Sequence, residues 1–111
     1  MSDLWTEIRT EQKLLDRAVA ELKPRGKMKA QTEYEYKLAL SKRLLELRAA
    51  GEAVTHLADI ARGMPDIAEL RLKRDIASSL YESAQEAINV QKLKIRIIEN
   101  QLSREWGNVK T

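Results

Sequence analysis

The only histidine of the chain, His56, has Glu52 four residues before it and Asp59 three after it, so a helical segment would put all three on one face. A carboxylate-flanked imidazole is the raw material of a general base or a metal ligand. Neither chemistry finds its second half. With no cysteine, no second histidine and no glycine-rich phosphate loop, the sequence excludes thiol nucleophiles, cysteine zinc sites and disulfides. The pairs Glu82/Glu86 and Glu7/Glu11 have the spacing of helix-face carboxylates but lack the Glu-x-x-His partners of di-iron bundles. They read as solubility charges, and His56 as a surface ion-pairing residue. No catalytic residue, metal ligand or cofactor is expected, and the chain reads as a non-enzyme.

Basic residues offer a different chemistry. Lys23 is followed by Arg25, Lys27 and Lys29, which fall in a stretch, residues 24–50, with seven basic side chains against three acidic ones, the excess behind a net charge of +3. Lys92, Lys94 and Arg96 form a second group. If an antiparallel arrangement brings the two together, the merged patch would contact phosphates in a salt-sensitive, sequence-blind way. The stacking aromatics of single-strand binders are scarce, with only Tyr34 and Tyr36 nearby. Thr55 to Gly63, followed by a helix from Asp66 with Arg71, Lys73 and Arg74, has the outline of a helix-turn-helix. Its glycine falls one place late, and its would-be recognition helix carries an apolar core stripe, so an ordinary helical connector is the expectation.

The elements that must position these groups are helices. A chain of 43% hydrophobic and 33% charged residues, with four glycines and two prolines, has the composition of long helices or a coiled coil. Residues 66–106 contain no proline, and their apolar or small residues fall at Ile67, Leu70, Ala77, Tyr81, Ala84, Ile88, Ile95, Ile98 and Leu102, in alternating steps of three and four. Arg74 and Gln91 are the two polar positions of that seam, and they are candidates for fixing register. Asp66 and Glu69 suggest a capping box at the start, and Gly107 a stop. A second apolar line on the same helix, Leu72, Ile76, Leu80, Ala87, Val90 and Ile97, is one that a single partner arm covers poorly, and it points to a homo-oligomer.

Upstream, Ser2 or Asp3 can cap a helix over residues 3–23 whose apolar face is Leu4, Ile8, Leu15, Val19 and Leu22. Pro24 and Gly26 interrupt it. A second helix over residues 27–50 carries two apolar faces, Tyr36 with Leu40, Leu44 and Leu47, and Tyr34 with Leu38 and Leu45, which suggests cover from two directions. Gly51 ends that helix, and a short segment over 54–62 leads to the long one. The expected fold is one all-α domain, a coiled-coil-like antiparallel hairpin whose first arm is kinked near Pro24, with an elongated three-helix bundle as the other topology. The hairpin would bring Trp5 near Trp106. No run of about 18 apolar residues spans a membrane, and the N-terminus lacks the apolar core of a signal peptide, so a cytoplasmic protein is expected.

Across residues 30–107 the chain resembles a group of small uncharacterised proteins encoded by temperate bacteriophages of Gram-positive bacteria. The likeness lies in Leu38-Ala-Leu-Ser-Lys, Leu47-Arg-Ala-Ala-Gly-Glu, Asp59-Ile-Ala-Arg-Gly and Ile67-Ala-Glu-Leu-Arg, then Arg74-Asp-Ile-Ala, Glu86-Ala-Ile-Asn and Glu105-Trp-Gly. The spacing of Arg-Asp-Ile-Ala and Glu-Ala-Ile-Asn is its most distinctive part. The resemblance implies no activity. It implies an accessory protein of a phage or prophage, in replication, recombination or counter-defence, binding an unknown host or phage protein. Nucleic-acid binding through the basic residues is the alternative.

Overall fold

A computed structural model describes residues 2–110 and contains only helices among them: α1 (Ser2–Ala49), a 3-10 turn (Val54–His56), α2 (Leu57–Gly63) and α3 (Pro65–Lys110). The fold is all-α, a helical hairpin with a short third helix in the connection, as the sequence implies. Two compact units divide it. Unit 1 comprises Met1–Pro24 and Glu82–Thr111, and unit 2 comprises Arg25–Tyr81.

The two helices expected over 3–23 and 27–50 are one, since α1 runs through Pro24 and Gly26 without a break. The seam explains why. Its buried and half-buried positions are Leu4, Ile8, Glu11, Leu15, Ala18, Leu22, Arg25, Lys29, Thr32 and Tyr36, steps of four and three that keep phase across the proline. Pro24 lies off this seam and is exposed, so the carbonyl of Ala20 that it leaves without an amide partner can turn to water. Ala18 takes the seam place expected for Val19, which is exposed. Gly26 serves packing, because a Cβ there would lie 3.3 Å from the Tyr81 ring.

In unit 1, α1 and α3 run antiparallel. Ile8 packs with Ile95 and Ile98 in a buried cluster that Leu4, Leu15 and Leu102 extend. In unit 2 the same two helices again run antiparallel, with Lys29 over the Tyr81 ring at 4.9 Å and Arg74 over the Tyr36 ring at 4.5 Å. Leu57 and Ala61 of α2 are buried there with Ile67 and Ala77 of α3.

The connection between α1 and α3 is built from local rules. Gly51, at φ +89°, takes the left-handed position after α1, the Gly51 N–H donates to the Arg48 carbonyl, and the Glu52 N–H donates to the Leu47 carbonyl. This is a Schellman ending, which satisfies carbonyls that the last helical turn leaves open. α3 begins one residue earlier than expected. Met64 is extended (φ −66°, ψ 133°) and Pro65 holds the first helical position, where a missing amide costs nothing. Asp66 is therefore inside the first turn, and its carboxylate accepts from Arg43 Nε and Nη2 at 3.1 and 2.8 Å. At the other end α3 continues through Gly107 to Lys110. The Ser2 side chain, proposed as a cap, lies outside the described residues.

Candidate functional site

The seam of α3 is the one foreseen: Ile67, Leu70, Ala77, Tyr81, Ala84, Ile88, Ile95, Ile98 and Leu102 are all buried or half-buried, with Arg74 and Gln91 among them. Both polar residues are held by α1. Gln91, 8% exposed, donates from Nε2 to the Glu11 carbonyl oxygen at 3.0 Å and also to the Glu11 carboxylate. Arg74 lies over Tyr36, pairs with Glu33 at 3.6 Å and donates to Asp75 at 2.9 Å. The bond to Asp75 holds the guanidinium above its already high range. A polar group in a seam is tolerated when its partner is specified, and each of these two names a single place on the opposing helix.

The candidate catalytic groups do not assemble. His56 is exposed in the 3-10 turn, Glu52 precedes that turn, and no ion pair joins His56 to Glu52 or Asp59 among the described residues. Glu82 and Glu86 line a shallow cleft with Leu22, Gln85, Ile88 and Asn89, and Glu11 is engaged by Gln91 while Glu7 faces solvent. Among the described residues no three His, Asp or Glu side chains gather to hold a metal ion.

The basic residues are spread rather than pooled. Positions two apart on a helix differ by about 200°, so Arg25 and Lys29 turn into the seam while Lys23 and Lys27 point outward. Lys29 sits on Tyr81, whereas Lys92, Lys94 and Arg96 neighbour the positions that meet Glu11 and Ile8. Arg71 and Lys73 are exposed on α3, but Arg74 lies in the seam, which removes it from the surface a helix-turn-helix would use.

Apolar side chains form the most extensive surface feature. Of the expected outer line, Leu72, Ile76 and Leu80 are exposed in unit 2, and Ala87, Val90 and Ile97 in unit 1. In unit 2, α1 adds Tyr34, Leu38 and Leu45, which no second helix covers. Met28, also exposed, escapes a search for apolar periodicity because lysines flank it.

Register places these residues on one side of unit 2. Writing each seam as positions a and d of a heptad, Tyr81 (a) meets Gly26 (e), and Arg74 (a) meets Glu33 (e). The a and e positions of both helices therefore share one flank, leaving g and c positions of both on the other. Met28 and Leu80 are g, Leu38, Leu45 and Ile76 are c, and Tyr34 and Leu72 are at the neighbouring f.

Fold and surface together define a helical scaffold that displays apolar side chains. The chain matches no family model, no curated protein and no solved structure. Among the described residues no helix is long and apolar enough to cross a membrane.

Proposed function

We propose that the protein is a non-enzymatic binding module that self-associates through the g and c flank of unit 2. The observation that carries this reading is the area left bare. From their fractional exposures, the five g and c side chains, together with Tyr34 and Leu72 beside them at f, present roughly 750 Å², close to the ~800 Å² that each partner of a stable complex contributes. Scattered exposed apolar residues need no explanation, but a continuous patch of this size does. A second copy is the simplest occupant, because a two-fold axis lays the same flank against itself. The resemblance to phage-encoded proteins supports an accessory role in the cytoplasm of a host cell, in replication, recombination or counter-defence, exercised through a protein partner.

Nucleic-acid binding is the competing reading and rests on charge. Unit 2 carries eleven basic residues against eight acidic, while unit 1 carries nine of each, so the whole excess belongs to unit 2. Arg25 and Lys29 lie in the seam, which leaves the exposed lysines and arginines of unit 2 to carry this reading.

Light scattering on the wild-type chain between 10 and 200 μM, chosen as roughly the range in which an interface of this area holds, is the decisive measurement. A dimer or larger species is expected. The Leu72→Glu/Ile76→Glu double variant should be a monomer with an unchanged helical spectrum. A wild-type monomer throughout the range would overturn the self-association.

A further inference from the structure

At the end of unit 1 where α1 begins, the geometry points to a second binding site, a groove that takes a short apolar segment of a partner protein flanked by Lys or Arg. The groove encloses about 590 Å³ between the first two turns of α1 and the last turns of α3. That volume falls within the ~300–1,000 Å³ typical of ligand pockets and is room for a few apolar side chains. Trp5, Ile8, Leu102 and Trp106 supply its apolar lining. Both tryptophans of the chain are here, 61% and 62% exposed, although the Ile8 and Leu102 beneath them are covered. Tryptophan combines a large apolar face with attraction for a cation held over the ring, and it is enriched where binding energy concentrates.

Charge decides between occupants. The polar members of the lining are Glu99, Glu105 and Ser103, with no Lys or Arg among the described residues that line it. Two carboxylates beside two indoles repel an acidic guest and attract one carrying arginine or lysine, an attraction a purely apolar guest lacks. The site is built from residues of unit 1 alone, and the self-association flank from residues of unit 2 alone. Trp5, Glu99 and Trp106 all occupy e positions, on the side of unit 1 opposite the c positions of Val90 and Ile97.

The two tryptophans make the test direct, since the tryptophan fluorescence of the chain comes from the groove. The probe is a tryptophan-free synthetic peptide with leucines at helical spacing flanked by arginines. Its control has glutamates in place of the arginines. The arginine peptide should give a saturable blue shift, and the glutamate peptide should bind at least roughly tenfold more weakly. In the Glu99→Gln/Glu105→Gln variant, which removes charge without removing apolar contacts, the gap should shrink by roughly five- to tenfold. Trp5→Ala should weaken the arginine peptide by roughly tenfold or more. The Leu72→Glu/Ile76→Glu variant should respond as wild type does. The proposal falls if the arginine peptide gives no saturable shift, if the two peptides bind equally, or if the carboxamide variant discriminates as well as wild type. It also falls if the flank variant loses the response, because the binding would then belong to the flank.

Discussion

Replacing Gln91 by glutamate tests whether the polar layer of the seam is held as the structure describes. The amide donates to the carbonyl oxygen and to the carboxylate of Glu11, and position 91 is 8% exposed, so water cannot take over the contact. A carboxylate at position 91 removes both donated bonds and confronts two acceptors. Losing a hydrogen bond to a charged group costs about 1.5–3 kcal/mol, and a like charge at contact distance adds to it. Glu11 is half-exposed and can turn outward, which limits the total to roughly 3 kcal/mol at neutral pH, or a melting temperature lower by about 10 °C.

The sign with pH is fixed by the same contacts. Burial and the neighbouring carboxylate raise the new group's folded-state pKa, so folding favours its protonated form. The deficit is fully present above that raised pKa and fades as the pH falls through it, because a protonated carboxyl can again donate to Glu11. Gln91→Leu is the contrast. It loses the same bonds but gains about 2 kcal/mol of burial and leaves Glu11 free to reach water, so its stability should stay within about 1 kcal/mol of wild type. Urea unfolding followed by circular dichroism at pH 7 and at roughly pH 4.5 separates the cases, the lower value lying just above ordinary carboxylate pKa values. Equal losses for the two variants at pH 7, or a glutamate deficit that ignores pH, would refute the reasoning.

Pro24→Ala should stabilise the chain by about 1–3 kcal/mol in urea unfolding, since α1 already runs through the position and alanine restores the amide donor. A neutral or negative result would mean that Pro24 serves α1 in a way its exposed position does not reveal. Arg43 holds the Asp66 carboxylate below its ordinary range, chiefly by hydrogen bonding. The stability this pair contributes is complete above the unfolded pKa of Asp66 and is lost as the pH falls through the depressed folded value. Asp66→Asn should therefore flatten the acid limb of a melting-temperature profile below about pH 4, with little change in its shape near pH 7. If self-association buries the unit 2 flank, the melting temperature of the wild-type chain should rise with protein concentration, while that of Leu72→Glu/Ile76→Glu should not.

How much of this was legible in the sequence depended on whether polar residues interrupt the pattern. On α3 only Arg74 and Gln91 break the apolar seam, and steps of three and four identify its members from Ile67 to Leu102. On α1 the seam includes Glu11, Arg25, Lys29 and Thr32, so hydrophobicity alone selects Val19 over Ala18 and reads Pro24 as a break. The missing signal was phase. Steps of four and three continued from Leu4 and Ile8 reach Leu22, Arg25 and Lys29 without a slip, and a helix that keeps phase on both sides of a proline gains more by packing than the proline costs. Lys23, Arg25, Lys27 and Lys29 show the converse, since nearness in sequence at two-residue spacing scatters side chains around a helix. The groove was visible only as an expected closeness of Trp5 and Trp106. Its carboxylates emerge once register puts Glu99 and Glu105 beside them.

The distribution of polarity in unit 2 runs against what a solitary hairpin requires. Its seam spends positions on Arg25, Lys29, Thr32 and Arg74; Lys29 and Arg74 lie over aromatic faces of the opposing helix, Arg74 also pairs with Glu33, and the Thr32 hydroxyl donates to a carbonyl of its own helix. Meanwhile Tyr34, Leu38, Leu45, Leu72, Ile76 and Leu80 stand in water. Apolar burial is the main favourable term in folding, and an exchange of these two sets between seam and flank would strengthen the hairpin at no cost in composition. The arrangement makes physical sense if the polar seam sets how α1 and α3 align and the apolar flank sets what the pair binds. Register would then be secured by directional contacts before association, leaving the undirected hydrophobic term to drive it.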